Sequence, residues 1–421
     1  MSGAQTKPYP RMTSIRLRRP LIIGHYGGCN TGDEAMLTGL LGAMPADLRR
    51  RATVVVKGAR NGTLHSAYGA GLVPAEWWAV LRALLRSDGL LLGGGTHFHD
   101  DYTTRRYVRH LRYMARITSL SILAKLLGRK VIWLGVGLGP FSRWPTRWIT
   151  RLGLKCCDRV TVRDAESQRE IAAWIPPEKL ALTFDLAALL VRDSILRTGQ
   201  VATVSNSVTT LGVCVTSVRR SLSGGAPVDS VVWRRLAAVL NRTLDKRPDL
   251  RLKVMVWRGG SREDDGALSK ELHEAVSLVH PARAELVPYS SQPEETLRRV
   301  AECDAFIATR YHAGVFAYLA GCRLLFFAYH RKVRDLAREI GLADGACLPL
   351  AADLREEVLE EKMGGLMEGS EAFRARLPVP VAARRAWLNI QALEDVQQLD
   401  VEASPDPYRL LPPSVERGEE A

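Results

Sequence analysis

The 421-residue chain lacks any run of about 18 uncharged apolar residues, the length a membrane-spanning helix needs. Its N-terminus carries Lys7, Arg11, Arg16, Arg18 and Arg19 but no apolar core or small-residue cleavage site, so no signal peptide is expected. Cysteines are few and unpaired in pattern. Cys29, Cys156, Cys157, Cys214, Cys303, Cys322 and Cys347 are odd in number and form no C-x-x-C or metal-type spacing. This excludes a disulfide framework and points to reduced thiols in the cytoplasm. Acidic residues are also short: 45 Asp+Glu face 59 Lys+Arg, a formal charge of +14. That excess favours anionic partners, either a phosphorylated small molecule or a lipid surface. The cations are spread along the chain without a zinc-finger, RNA-recognition or basic-zipper pattern, so no nucleic acid is expected as a partner.

What is present is a soluble α/β composition, 46% hydrophobic and 25% charged, in a chain long enough for two cores. Residues 1–20 read as a basic, disordered tail. Short apolar strands then alternate with helix-length segments over 21–190, with strands at Leu21–Gly24, Thr53–Lys57, Gly89–Leu92, Lys130–Leu134, Arg159–Arg163 and Leu182–Phe184. Their continuous apolar character suits a parallel sheet covered on both faces. Residues 191–208, rich in small and polar side chains, read as a linker. A second βα series fills 209–350, and 351–421 reads as a helical extension ending in a disordered tail, with a helix near 380–400 packing back across both domains. The expected fold is α/β: two Rossmann-like domains in tandem, with the cleft between them outside the carboxyl ends of the strands.

Five segments at strand ends carry candidate chemistry. Gly24–Glu34 joins a strand to a helix, and its glycines let backbone N–H groups face an anion. It lacks the lysine of a P-loop, and Asp33 either caps the helix or lines the cleft. Gly93-Gly94-Gly95 follows a strand and leads to His97, His99, Asp100 and Asp101, but no helical H-E-x-x-H frame accompanies them and no metal is expected. Gly135-Val136-Gly137-Leu138-Gly139-Pro140 reads as a loop that departs from the dinucleotide fingerprint, so a nicotinamide cofactor is disfavoured. Arg163 at a strand end could fork onto a carboxylate or phosphate, or pair with Asp164. In Thr309-Arg310-Tyr311-His312, Arg310 offers a guanidinium for an anion, and His312 is the residue type suited to proton transfer near neutrality. Lys332, opening a later helix, is a further phosphate contact.

Together, Asn30–Ala35, Gly93–Gly95 with Asp100, Gly135–Pro140, Val162–Asp164, Arg310–Ala313 with Phe316-Ala317, and Lys332-Val333 resemble the successive motifs of the polysaccharide pyruvyl transferase family. The resemblance spans roughly 21–340 and implies a fold of the GT-B type. It also implies transfer of pyruvate from phosphoenolpyruvate onto two hydroxyls of a polysaccharide or lipid-linked glycan precursor, as a cyclic ketal, with release of phosphate. His312 would be the general acid/base and Asp33 would orient or deprotonate the acceptor. Arg310 and Lys332 would hold the donor, assisted by Arg163 or Arg219, with Asn30, Gly94, Gly95 and Asp100 lining the substrate site. No cofactor beyond the donor substrate is implied, and the basic surface would meet the inner leaflet peripherally. Departures from the family pattern at Thr309, Tyr311, Arg258-Gly259-Gly260, His97 and His99 bear on the acceptor. A nucleotide-sugar glycosyltransferase of the same fold is the alternative enzyme, and a membrane-surface scaffold the non-catalytic one.

Overall fold

The computed structural model describes residues 15–57, 69–100, 104–191, 209–218, 225–260 and 265–393. Arg219, Asp101, most of the 191–208 linker and the terminal tails lie outside the described residues. The first half contains β1 (Pro20–Ile23), α1 (Thr31–Ala43), α2 (Ala46–Arg51), β2 (Thr53–Val56), β3 (Gly71–Pro74), α3 (Trp77–Arg86), β4 (Gly89–Leu92) and β5 (Gly95–Phe98). It continues with α4 (Thr104–Leu126), β6 (Lys130–Leu138), α5 (Trp144–Cys156), β7 (Arg159–Val162), α6 (Ala165–Ile171) and β8 (Leu180–Leu182). Every pairing is parallel, in the order β3-β2-β1-β4-β6-β7-β8, with β5 also paired to β6.

Side chains that alternate along the strands feed two cores. Leu21, Leu90, Leu92 and Trp133 face Val80, Leu84, Met114, Ile117 and Leu154 of helices α3, α4 and α5. Ile22, Leu91, Ile132 and Leu134 face the other way, onto α1 and the 3-10 turn Leu186–Leu190. A parallel sheet buried on both faces must be apolar at consecutive positions, as Leu90-Leu91-Leu92 is.

The second half contains β9 (Thr210–Cys214), α7 (Gly225–Lys246), β10 (Arg251–Met255), α8 (Asp265–Ser277), β11 (Ala284–Val287), α9 (Pro293–Ala301), β12 (Ala305–Ala308), α10 (Tyr311–Leu319), β13 (Arg323–Ala328), α11 (Arg331–Glu339) and β14 (Cys347–Pro349). Its strand order, β11-β10-β9-β12-β13-β14, is again wholly parallel. Both sheets reverse direction of growth at one point, between β1 and β4 and between β9 and β12. Crevices for ligands open there, at the carboxyl ends of the strands. Helix α12 (Glu356–Met367) packs on α7, and α13 (Val379–Gln391) crosses to the first half.

Two local expectations are corrected, and one strand appears that the sequence did not suggest. Gly135–Leu138 is not a loop: β6 runs on through Leu138, because its neighbours β5 and β7 continue the ladder past Leu134. Gly95–Phe98 is likewise a strand. Asp33 does not cap α1. Asn30 holds the cap position, and Asp33 sits in the first helical turn, where a carboxylate meets the positive end of the helix dipole.

Candidate functional site

The cleft is built from loops at four strand ends. After β1 the chain bends through Cys29, whose φ is 53°, and pairs with the loop after β10. Thr31 donates from both N–H and Oγ1 to Trp257 C=O (3.2 and 3.0 Å), and Gly259 N–H donates to Cys29 C=O at 3.0 Å. Asn30 and Arg258 form an antiparallel bridge. These bonds stitch the halves along one edge. At that edge Asn30 Nδ2 donates to Asp33 Oδ2 (2.6 Å). Burial raises the Asp33 carboxyl above its ordinary range, against the lowering influence of His312, Asn30, Arg258 and Lys332. These groups therefore converge on one carboxylate from both halves.

From β12, Thr309 Oγ1 donates to Cys214 C=O (2.9 Å), locking the strand end beside β9. Arg310 occupies the cap position of α10 and forks onto buried Asp265, with Nε at 2.5 Å and the second contact from Nη2. Asp265 in turn accepts from Thr216 Oγ1 at 2.6 Å. The guanidinium is thus aimed by a counter-ion behind it, an arrangement suited to presenting positive charge in a fixed plane.

His312 follows in the first turn of α10. Its ring lies against Gly32, where a Cβ would stand 1.9 Å from Nδ1. Nε2 is buried without a hydrogen-bond partner among the described residues and sits 3.6 Å from Asp185 Oδ2. Asp185 opens the 3-10 turn Leu186–Leu190, and its Oδ1 accepts from Ala187 N–H (3.0 Å). Full burial would raise the Asp185 carboxyl, but His312, Arg163 and that N–H hold it down at about 2. The carboxylate stays ionised beside the ring.

Arg163 does not project into the cleft as a free anion contact. It is buried, donating to Asp185 Oδ2 (3.0 Å) and Thr96 Oγ1 (2.9 Å), 3.6 Å from Asp164, with its guanidinium 3.9 Å from the Tyr311 ring centroid. Burial opposes its charge, but Tyr311, Asp185 and Asp164 outweigh that and raise its pKa. Arg163 therefore braces Asp185, and through it His312. Asp164 caps α6 by accepting from Ser167 N–H at 2.7 Å.

The wall formed by β5, the loop after β1, helix α4 and the start of α11 is rich in histidine. His25 stacks on His97 and Tyr113 (5.0 and 4.7 Å), and His99 meets His110 and His330 (4.4 and 5.8 Å). His97 Nε2–H donates to Gly93 and Gly94 C=O (2.8 and 3.0 Å), while Tyr113 OH donates to Nδ1 (2.8 Å). Burial lowers His97 and His110 to about 4 and His330 to about 3, so the wall is neutral near pH 7. Lys57 Nζ donates to His25 Nδ1 at 3.1 Å. Among the described residues no group of three or more His, Cys, Asp or Glu is placed to hold a metal ion.

The glycine triplet serves packing as well as access. Side chains at Gly93 and Gly94 would run into Tyr26 Oη (1.8 Å) and Met36 Sδ (2.6 Å), and Gly95 takes a φ of 114°. Asp100 is a brace: its N–H donates to Pro140 C=O (3.1 Å) and its Oδ2 accepts from Arg143 N–H (2.5 Å). Lys332 lies in the first turn of α11, capped by His330, whose Nδ1 accepts the Lys332 N–H (3.3 Å). The sequence reading missed Asp185, Asp265 and Tyr113. An acid just past strand β8 was the only local signal for Asp185.

A family model for polysaccharide pyruvyl transferase matches residues 30–331, a span that contains Asp33, Asp185, Arg310 and His312 of this cleft. The chain belongs to the polysaccharide pyruvyl transferase family. It is accordingly a transferase, and the family implies a sugar or glycan acceptor. No curated protein matches the chain. The UDP-GlcNAc 2-epimerase of Neisseria meningitidis, solved with UDP-GlcNAc, is similar in structure: TM-score 0.55, 10% identity, covering 89% of this chain and 99% of that one. A putative UDP-N-acetylglucosamine 2-epimerase from Listeria monocytogenes gives 0.56 at 13% identity, covering 87% and 94%. HepE of Anabaena, solved with UDP and glucose, gives 0.50 at 15%, covering 90% and 96%. At these identities the likeness concerns the fold. This pyruvyl transferase family member has two Rossmann-like domains of the GT-B type.

Proposed function

We propose that this chain takes pyruvate from phosphoenolpyruvate and places it as a cyclic ketal on a sugar of a polysaccharide or lipid-linked glycan precursor, on the cytoplasmic side of the membrane. In this reading His312 delivers a proton to the methylene carbon of the enol. The electron deficit left on the central carbon is met by one sugar hydroxyl, and a second hydroxyl then displaces phosphate. Two hydroxyl protons are released and one is taken up by the new methyl, so the chemistry needs neither redox cofactor nor metal.

The observation that carries this reading is the placement of His312 between Gly32 and ionised Asp185, two residues after the Asp265-paired Arg310. A proton donor of fixed orientation and a guanidinium held by its own counter-ion suit a small, multiply charged donor. Asp33, raised by burial, is disposed to accept a proton from the acceptor hydroxyl. Lys332 supplies a second cation for carboxylate or phosphate. The neutral histidine and tyrosine wall offers flat faces and hydrogen-bond partners to a sugar.

A nucleotide-sugar glycosyltransferase is the second reading, because the structural neighbours were solved with UDP-GlcNAc or UDP. The discriminating experiment incubates the protein with phosphoenolpyruvate and lipid-linked or model sugars, following phosphate release and acceptor mass. A pyruvyl-ketal mass increase supports the proposal. Turnover of a nucleotide sugar with no phosphate released from phosphoenolpyruvate refutes it.

A further inference from the structure

Charges that are scattered in sequence gather in space on one face of the first half. Helices α3, α4 and α5 cover one side of the first sheet through Val80, Leu84, Met114, Ile117, Leu120, Ala124 and Leu154. Their three segments together hold eleven Lys or Arg and no Asp or Glu.

Their outward stripes mix those cations with large apolar groups at helical spacing. On α5 the exposed positions are Trp144, Arg147, Trp148, Arg151 and Lys155, and on α3 they include Trp78, Arg82, Leu85 and Arg86. Trp78 is 76% exposed, Trp144 75% and Trp148 58%, and Leu126 at the end of α4 is 80% exposed. Among the described residues, all the large exposed tryptophans lie on this layer: Trp77, Trp78, Trp144 and Trp148. Arg116 of α4 bridges to α3, donating to Ala75 C=O (2.8 Å) with its guanidinium 5.7 Å from the Trp77 ring.

We propose that the outer face of α3, α4 and α5 docks on an anionic phospholipid bilayer. Indole rings partition to the headgroup level, where an apolar body and a polar N–H are both accommodated. Arginines among them answer the negative surface potential of such a leaflet. Tryptophan and arginine also populate protein interfaces, but eleven cations without an acid over three helices match the diffuse negative charge of a lipid surface, and a nucleic-acid groove would not set tryptophans outermost on the backs of α3 and α5. The face reaches the cleft, because Tyr113 of α4 stacks on His25 and His110 of α4 lies tilted against His99. A surface-bound enzyme would thus hold its site close to headgroup level, within reach of a lipid-linked acceptor.

The test uses the full chain and sedimentation with vesicles of phosphatidylcholine, alone or mixed with phosphatidylglycerol. No donor or acceptor is present, so the outcome is separate from the pyruvyl-transfer reading. Wild type is expected to pellet with the mixed vesicles and remain in solution with the neutral ones. The triple variant Trp78→Ser/Trp144→Ser/Trp148→Ser, and separately Arg82→Glu/Arg147→Glu, should each weaken binding about tenfold or more. His312→Ala should bind as wild type. If the triple variant does not fold, the single substitutions Trp144→Ser and Arg147→Glu carry the test. The proposal is overturned if wild type ignores anionic vesicles, or if the folded variants bind as tightly as wild type. It is equally overturned if the substitutions abolish self-association or DNA binding while leaving vesicle binding intact.

Discussion

The His312 ring rests on the backbone of Gly32, so closely that a methyl group there would stand 1.9 Å from Nδ1. The two residues lie in the first turns of α1 and α10, one in each half of the chain. The start of one helix is the seat for the other's histidine. The stitching of Thr31 and Cys29 to Trp257 and Gly259 keeps that seat in place.

Gly32→Ala should therefore displace His312 without unfolding either sheet. The expected result is a fall in kcat of about a hundredfold, the scale set by moving a reacting group by an ångström. The thermal midpoint should change little by comparison. Comparing initial rates and melting curves of the variant and wild type checks this.

His312→Gln should lower phosphate release from phosphoenolpyruvate by roughly 10²–10⁴-fold, the usual contribution of a positioned acid–base group. Asp185→Asn should lower it less, about tenfold to a hundredfold, because it removes a positioning charge and not the proton donor. If Asp185 acts through His312, combining the two substitutions adds little to the His312→Gln defect. Rates of the two single variants and the double variant measure this.

Glu34 gives a pH dependence of stability. Its Oε1 accepts from Gly27 N–H at 2.8 Å, but burial outweighs that and raises the carboxyl from 4.5 to about 7. Between those values the folded state holds a proton that the unfolded chain has lost, so stability falls as pH rises from 4.5 to 7. Glu34→Gln keeps an acceptor for Gly27 and removes the titration. It should flatten this slope and be the more stable form at pH 8, by on the order of 2–3 kcal/mol. Denaturant midpoints at pH 5 and 8 for both proteins decide it.

Asn389 is fully buried on α13. It accepts from Thr161 and Thr183 Oγ1 (2.5 and 3.1 Å), and donates to Phe184 C=O at 3.2 Å. Asn389→Leu leaves the Thr161 hydroxyl and the Phe184 carbonyl to find other partners in a buried site, while Thr183 keeps Val162 C=O (3.0 Å), at a cost of about 2–4 kcal/mol. Calorimetry should record a drop in melting temperature of roughly 1 °C for each kcal/mol lost, the scale set by the melting entropy of a chain this long.

Much of the sheet architecture was legible in the chain, because strands buried on both faces must be apolar without alternation. Gly89–Leu92 and Ala305–Ala308 fall where the pattern places them. β3 escaped notice because its Gly-Leu-Val-Pro lies largely exposed at the sheet edge, where no apolar run is required. β5 was hidden by the glycines before it, which read as a loop. Arg310 and His312 announced themselves at a strand-to-helix junction. Their partners did not. Asp265 and Asp185 meet them only through tertiary packing, and Arg163 looks like an anion contact in sequence until the fold supplies Asp185, Thr96 and the Tyr311 ring.

Helix α13 has a consequence for how the polypeptide is made. Its Asn389 and Arg385 complete contacts with Thr161, Thr183 and Phe184 of the first half, although it leaves the ribosome after the whole second sheet. During synthesis the first sheet must therefore wait with the Thr161 and Thr183 hydroxyls uncovered while some two hundred further residues emerge. Over that interval the nascent chain exposes polar groups that the folded protein buries. Its folding ends with the closing of an early seam by a late helix.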